Sequence, residues 1–110
     1  MAVQLAVAGA FHTDYMAPAV DSLKSVLEAT QFSKPRIPVV SNVDAQPHSD
    51  PEAIKAILAK QVTCPVLWEE SMQTLLSKGL EQSYELGPGK VVAGIFKRID
   101  KKATVTNIEV

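Results

Sequence analysis

Apolar residues recur along this chain in two rhythms. Residues 3–10 (VQLAVAGA) are apolar with little polar interruption, which predicts a mostly buried strand. From about 17 to 30 the rhythm changes, and Val20, Leu23, Val26 and Leu27 recur at spacings of three and four. That spacing predicts an amphipathic helix. Pro18 suits its first turn, so residues 13–16 are expected as a separate tight turn. Residues 36–43 (RIPVVSNV) predict a second short strand, and 45–51 (AQPHSDP) a loop of turn formers.

The next helix is announced by Asp50 as N-cap, Pro51 at the first position and Glu52 in the first turn. Ile54, Ile57, Leu58 and Val62 make its apolar face. Residues 63–65 (TCP) break it, and Pro65 is expected to open a further helix carrying Leu67, Trp68, Met72, Leu75 and Leu76 as far as Gly79. Residues 82–86 (QSYEL) predict a strand, 87–89 (GPG) a turn, Val92, Ile95, Phe96 and Ile99 a last helix, and 103–109 a terminal strand.

Strands alternating with helices favour an α/β layered fold with parallel pairings over a bundle or a sandwich. The strands are few for a complete doubly wound sheet, so the expectation is a partial sheet within one unit, residues 1–110. A cut-down layer of this kind exposes apolar surface where neighbours belong.

Composition narrows the function classes. The formal charge is −1 with 46% hydrophobic residues, so no basic excess supports a nucleic-acid or anionic-membrane footprint. The longest apolar runs are too short to span a bilayer. The one cysteine, Cys64, has no internal partner for a disulfide, which is compatible with a reducing compartment.

His12 is the residue with the most chemistry to offer. It follows a predicted strand and precedes a turn, where open α/β folds gather catalytic groups. Two readings stand: a general base, because imidazoles titrate near neutrality, or a strand-end histidine satisfied by a carbonyl. None of the eight serines sits in a Gly-x-Ser-x-Gly elbow, and Cys64 has no thiolate-stabilising neighbours. GPGK (87–90) lacks the lead and the Ser/Thr of a phosphate loop, leaving a glycine turn with helix amides open to an anion as the lesser reading. Glu69 and Glu70 are adjacent and point about 100° apart on a helix. His48 stands in a polar loop without a ligand partner, so no metal site is expected. Lys97, Arg98, Lys101 and Lys102 read as a solvated helix end or as a patch for an acidic partner.

Four blocks in order, GAFHTDYMAPA, IPVVSNVDAQP, AKQVTCPVLWEESMQTLLSKG and YELGPGKVVAGIFKRI, resemble the C-terminal part of malonyl-CoA:acyl-carrier-protein transacylases, from roughly residue 4 to residue 100. Their wording is nearer to plastid enzymes of plants and algae than to bacterial ones. The resemblance implies the C-terminal segment of an α/β-hydrolase-like acyltransferase core (17–110), preceded by the last strand (1–10) of a small ferredoxin-like subdomain. It implies malonyl transfer from coenzyme A to the phosphopantetheine thiol of acyl carrier protein, through an acyl-serine in a GHSxG elbow. No bound cofactor is implied, and a plastid stroma is the expected location, with cytoplasm or mitochondrion as alternatives.

Carried residue by residue, the resemblance makes His12 the base and the main-chain carbonyl of Gln61 its orienting acceptor. Phe11 and Asn42 become walls of the acyl pocket, with Phe11 disfavouring α-branched acyl groups. The GHSxG serine, the Gly-Gln-Gly oxyanion segment and the malonate-binding arginine have no counterpart in the 110 residues; Arg36 and Arg98, the only arginines, stand outside that arginine's motif. MAVQ running straight into the His12 strand reads as a truncation boundary. The isolated chain is expected to be inactive, with a non-catalytic carrier-protein-binding module as the alternative.

Overall fold

A computed structural model describes residues 2–110. Packing gathers the chain into two compact units, Met1–Val66 and Leu67–Val110, where the sequence pattern suggests a single one over 1–110.

In the first unit a single-turn 3-10 helix, Asp14–Met16, runs into helix α1, Ala17–Ala29. The turn at 13–16 and the helix after it therefore stand as the spacing predicts, with Pro18 in the first turn. Strands β1 (Val39–Val40) and β2 (Pro47–His48) pair antiparallel, Val39 with His48 and Val40 with Pro47. The sequence pattern predicts a longer strand at 36–43 and a plain loop at 45–51. The hairpin arises because Ser41 exchanges backbone bonds with Gln46 (N–H to carbonyl, 3.0 Å) and Ala45 (carbonyl from N–H, 2.9 Å), and Ala45 takes a φ of 56°. Helix α2, Pro51–Gln61, packs on α1. The Asp50 carboxylate caps it, accepting from the amides of Glu52 (3.4 Å) and Ala53 (3.3 Å).

The strand expected at 1–10 does not form. Residues 2–10 are exposed and outside any ladder, and Met1 lies outside the described residues. A strand needs a neighbour for its N–H and C=O groups, and none of the described strands pairs with this segment. Its alternating Val3, Leu5 and Val7 are 69%, 75% and 73% exposed, so the apolar run that predicts burial stays uncovered.

The second unit starts with helix α3, Trp68–Ser77, three residues later than Pro65 suggests. The first intrahelical bond runs from the Ser71 amide to the Leu67 carbonyl, and the Ser71 hydroxyl reaches the same carbonyl at 2.7 Å. Gly79, at φ 91°, ends the helix as expected. Strand β3 (Gln82–Leu86), helix α4 (Val91–Ile99) and strand β4 (Thr104–Ile108) then make one β-α-β unit. Its strands run parallel, in register from Gln82–Thr104 to Leu86–Ile108. Ser83, Glu85, Val105 and Asn107 are half-buried; Tyr84, Leu86 and Ile108 on the other face are exposed.

Glu85 ties this unit together. Its carboxylate accepts from the amides of Val92 (3.0 Å) and Ala93 (2.9 Å), the orphan donors of the first turn of α4. The Asn107 side chain donates to the carbonyls of Glu85 (3.3 Å) and Gly87 (3.2 Å), joining the same junction to β4. Gly87 and Gly89, at φ 124° and 82°, make a bend that a side chain would strain. Glu85→Ala is expected to cost about 1–2 kcal/mol, the usual loss of an N-terminal cap strengthened by charge, measured by urea unfolding.

Candidate active site

Helix α2 ends at the place where His12 is held. The last carbonyls of a helix lack intrahelical partners, and here each of three consecutive ones finds another donor. The Lys60 carbonyl accepts from the amides of Thr63 (3.2 Å) and Cys64 (3.0 Å). The Gln61 carbonyl accepts from His12 Nδ1 at 2.9 Å, and the Val62 carbonyl from the His12 amide at 3.0 Å. His12 is thus gripped through its ring and its backbone by two successive residues.

The grip supports a backbone shape that histidine rarely adopts. His12 has φ 63°, in the left-handed region. For a residue with a side chain this costs on the order of 1–3 kcal/mol and persists only where surrounding contacts over-determine it. The ring bond also selects the tautomer. A carbonyl only accepts, so Nδ1 carries the hydrogen and Nε2 presents its lone pair. The carbonyl end of α2 is the negative end of the helix dipole and complements positive charge on an imidazolium.

His12, Phe11 and Gln61 line one open groove of about 450 Å³, with Met16 and Leu23 on one side and Leu58 and Val62 on the other. Its walls are almost wholly apolar, so His12 and Gln61 supply its polar groups. Phe11 is 57% exposed at its rim. Among the described residues no serine or cysteine lines it. The groove therefore holds a proton acceptor and no nucleophile.

Asn42 sits elsewhere. It lines an adjoining cavity of about 240 Å³ with Ser41, His48 and Ile54, and only Leu58 and Gln61 belong to both spaces. Phe11 and Asn42, expected to wall one pocket, thus line two recesses that meet at Leu58 and Gln61 in the last turns of α2. A larger hollow of about 620 Å³ is lined from α1 by Lys24 and Glu28 and from α2 by Glu52, Lys55 and Lys60. No histidine faces it among the described residues, and its one hydroxyl, on Thr63, is turned to the Lys60 carbonyl at 3.4 Å. It offers surface charge and no base–nucleophile pair for acyl chemistry.

Two further sequence readings change. His48 is not partnerless: its Nε2 lies 2.8 Å from Asp44 Oδ2. The pair has spacing i, i+4 but joins the turn of the β1–β2 hairpin to β2, so helical periodicity gives no signal of it. The α4 amides considered for an anion are occupied by Glu85. Sequence reasoning also passes over Thr13 and Val62, whose contacts with the turn at His12 are a hydroxyl and a main-chain carbonyl. Among the described residues no group of three or more His, Cys, Asp or Glu side chains converges as a metal site.

The chain is similar to malonyl-CoA:acyl-carrier-protein transacylases. The Bacillus subtilis malonyl CoA-acyl carrier protein transacylase is 39% identical over 101 residues, covering 92% of this chain and 32% of the relative. The mitochondrial malonyl-CoA-acyl carrier protein transacylase of Mus musculus is 41% identical over 103 residues, covering 90% of this chain and 27% of the relative. A solved malonyl-transacylase in complex with a type II polyketide acyl-carrier protein superposes with a TM-score of 0.90 at 38% identity, over 96% of this chain and 34% of that one. The chain spans about a third of the length of the curated relatives it matches. No model of a protein family matches it. The fold is that of a segment of these acyltransferases, as the α/β reading with parallel pairing implies.

The hairpin beside Gln61 carries a pH dependence. Burial alone would push the Asp44 carboxyl up, but the Gln46 amide and the His48 ring together hold it below its ordinary value. A depressed carboxyl stabilises the fold above the unfolded value, near 3.9, and that contribution is lost as pH falls through the folded value. The carboxylate is 41% exposed, so solvent screening keeps the gain small. Asp44→Asn is expected to lower the melting temperature at neutral pH and to leave it unchanged in acid below both values, read from thermal melts across pH.

Proposed function

We propose that this chain is the base-carrying segment of an [acyl-carrier-protein] S-malonyltransferase. The observation that carries the reading is the 2.9 Å bond from His12 Nδ1 to the Gln61 carbonyl. It supports a histidine whose second nitrogen is set to take a proton inside an apolar groove, and the similarity to malonyl transacylases supplies the substrates.

In this mechanism the nucleophilic serine comes from a segment outside the 110 residues. Its hydroxyl gives its proton to His12 Nε2 while the oxygen attacks the malonyl thioester carbonyl of malonyl-CoA. Collapse of the tetrahedral intermediate breaks the C–S bond, and His12 returns the proton to the departing coenzyme A sulfur. In the second half the phosphopantetheine thiol of acyl carrier protein gives its proton to His12 and attacks the malonyl-serine ester. The serine oxygen leaves and recovers that proton. The Gln61 carbonyl holds the ring in one tautomer through both halves. Phe11 at the groove rim crowds an α-methyl group, a preference worth about 10–200-fold. Asn42 acts from the adjoining cavity on the far side of Gln61. The Bacillus and mouse relatives are bacterial and mitochondrial, and a plastid location rests on the wording of the sequence blocks.

The transcript upstream of Met1 tests the reading directly: an in-frame GHSxG is expected, and its absence refutes the assignment. In the protein so encoded, His12→Ala should lower kcat by about 10²–10⁴-fold. Gln61→Ala should be milder, because its carbonyl survives the substitution. The purified 110-residue chain should not move radiolabelled malonyl from coenzyme A to acyl carrier protein.

A second reading, a carrier-protein-binding module, is favoured by one observation. Lys97, Arg98, Lys101 and Lys102 are exposed, and the ion pairs among the described residues are Asp44–His48 and Glu52–Lys55 only. Four cations within six residues thus face solvent without a carboxylate partner. Titrating the labelled chain with acyl carrier protein should shift NMR signals across Lys90–Lys102 if this surface docks the carrier, and leave them in place if it does not.

A further inference from the structure

We propose that Thr13 is a positioning residue for His12, an inference that rests on the role of His12 as the base. The turn Ala10–Thr13 places His12 at its third position with φ 63°, the kind of site that usually selects glycine. The carbonyls of Gln61 and Val62 secure the ring and the amide of His12 from the side of α2. They do nothing to close the turn itself. The Thr13 hydroxyl reinforces that closure, donating to the Ala10 carbonyl at 2.6 Å.

Thr13 also links the turn to helix α1. Its own carbonyl accepts from the Met16 amide at 3.1 Å, at the start of the 3-10 turn that leads into α1. One residue therefore clamps the loop behind His12 and joins it to α1, while α2 holds the imidazole in front. Without the hydroxyl the turn can open, and His12 is released toward ordinary negative φ. The ring then leaves Gln61, since a 2.9 Å bond does not survive a large backbone rotation.

Local exposure keeps the effect of a substitution confined. Both Ala10 and Thr13 are exposed, so Thr13→Val leaves the Ala10 carbonyl to water rather than orphaned in a core. Threonine and valine have nearly the same shape, so packing is little disturbed. The variant is expected to fold, and a defect confined to His12 becomes readable.

The readout is the tautomer of His12 in the isotope-labelled 110-residue chain, by long-range ¹H–¹⁵N NMR at alkaline pH where imidazoles are neutral. A free histidine prefers its hydrogen on Nε2, whereas the bond to Gln61 requires it on Nδ1. The parent chain should show one tautomer, Nδ1–H. Thr13→Val should lose that single state, gain the Nε2–H form and exchange the His12 amide faster. Thr13→Ser, which keeps the hydroxyl, should restore the parent pattern. Thr30→Val removes a comparable exposed bond, from Thr30 Oγ1 to the Val26 carbonyl at 2.6 Å, and should leave His12 unchanged.

A Thr13→Val chain with the parent tautomer overturns the proposal and leaves the role of His12 standing. Equal disturbance by Thr30→Val also overturns it, as general loosening. If the parent chain itself shows Nε2–H, the Gln61 contact fails, and the proposed function falls with this inference.

Discussion

The bond between the imidazole of His12 and the carbonyl of Gln61 organises the chemically relevant half of this molecule. It joins residues 49 positions apart and uses a main-chain acceptor that a helix end leaves vacant. The neighbouring carbonyl of Val62 takes the His12 amide, so the end of α2 holds both the imidazole of His12 and the turn that carries it. Everything that makes α2 begin and end where it does bears on that histidine. The Asp50 cap and Pro51 set the start, and the Lys60 carbonyl, bonded to Thr63 and Cys64, closes the last turn.

A main-chain acceptor suits this task because it cannot lose its function by titration or by rotamer change. A carboxylate in its place would add charge and need its own desolvation to be offset. The carbonyl accepts one hydrogen, orders one tautomer, and lies at the negative end of a helix dipole. The groove walls around it are mostly apolar, so few protein groups compete for the imidazole.

The second unit shows the same economy with a different residue. A carboxylate from β3 occupies the first-turn amides of α4, and an amide from β4 occupies carbonyls of the same bend. The glycines of GPGK permit the bend, and Glu85 takes the donors that a phosphate would have used. Both units leave apolar faces open: Val3, Leu5 and Val7 in one, Tyr84, Leu86 and Ile108 in the other. Among the described residues the buried apolar ones number five and three of them are alanine, which leaves much of the chain's apolar surface in water.

Helix content, the parallel pair β3–β4, the Asp50 cap and the stop at Gly79 were legible in the sequence, because spacing and capping act within a few residues. His12 stood out from its place after an apolar run, but its pairing with Gln61 was legible only through resemblance to known blocks, since neither spacing nor composition brings together residues 49 apart. Tertiary structure alone decided the rest. The strand at 3–10 needs a neighbour that its own residues do not supply, so its apolar pattern exists without a ladder. Asn42 and Phe11 line separate recesses that meet in the last turns of α2, and the left-handed turn at His12 holds because contacts distant in sequence over-determine it. Local pattern sets which elements can form, whereas pairing, strain and shared cavities depend on which distant groups meet.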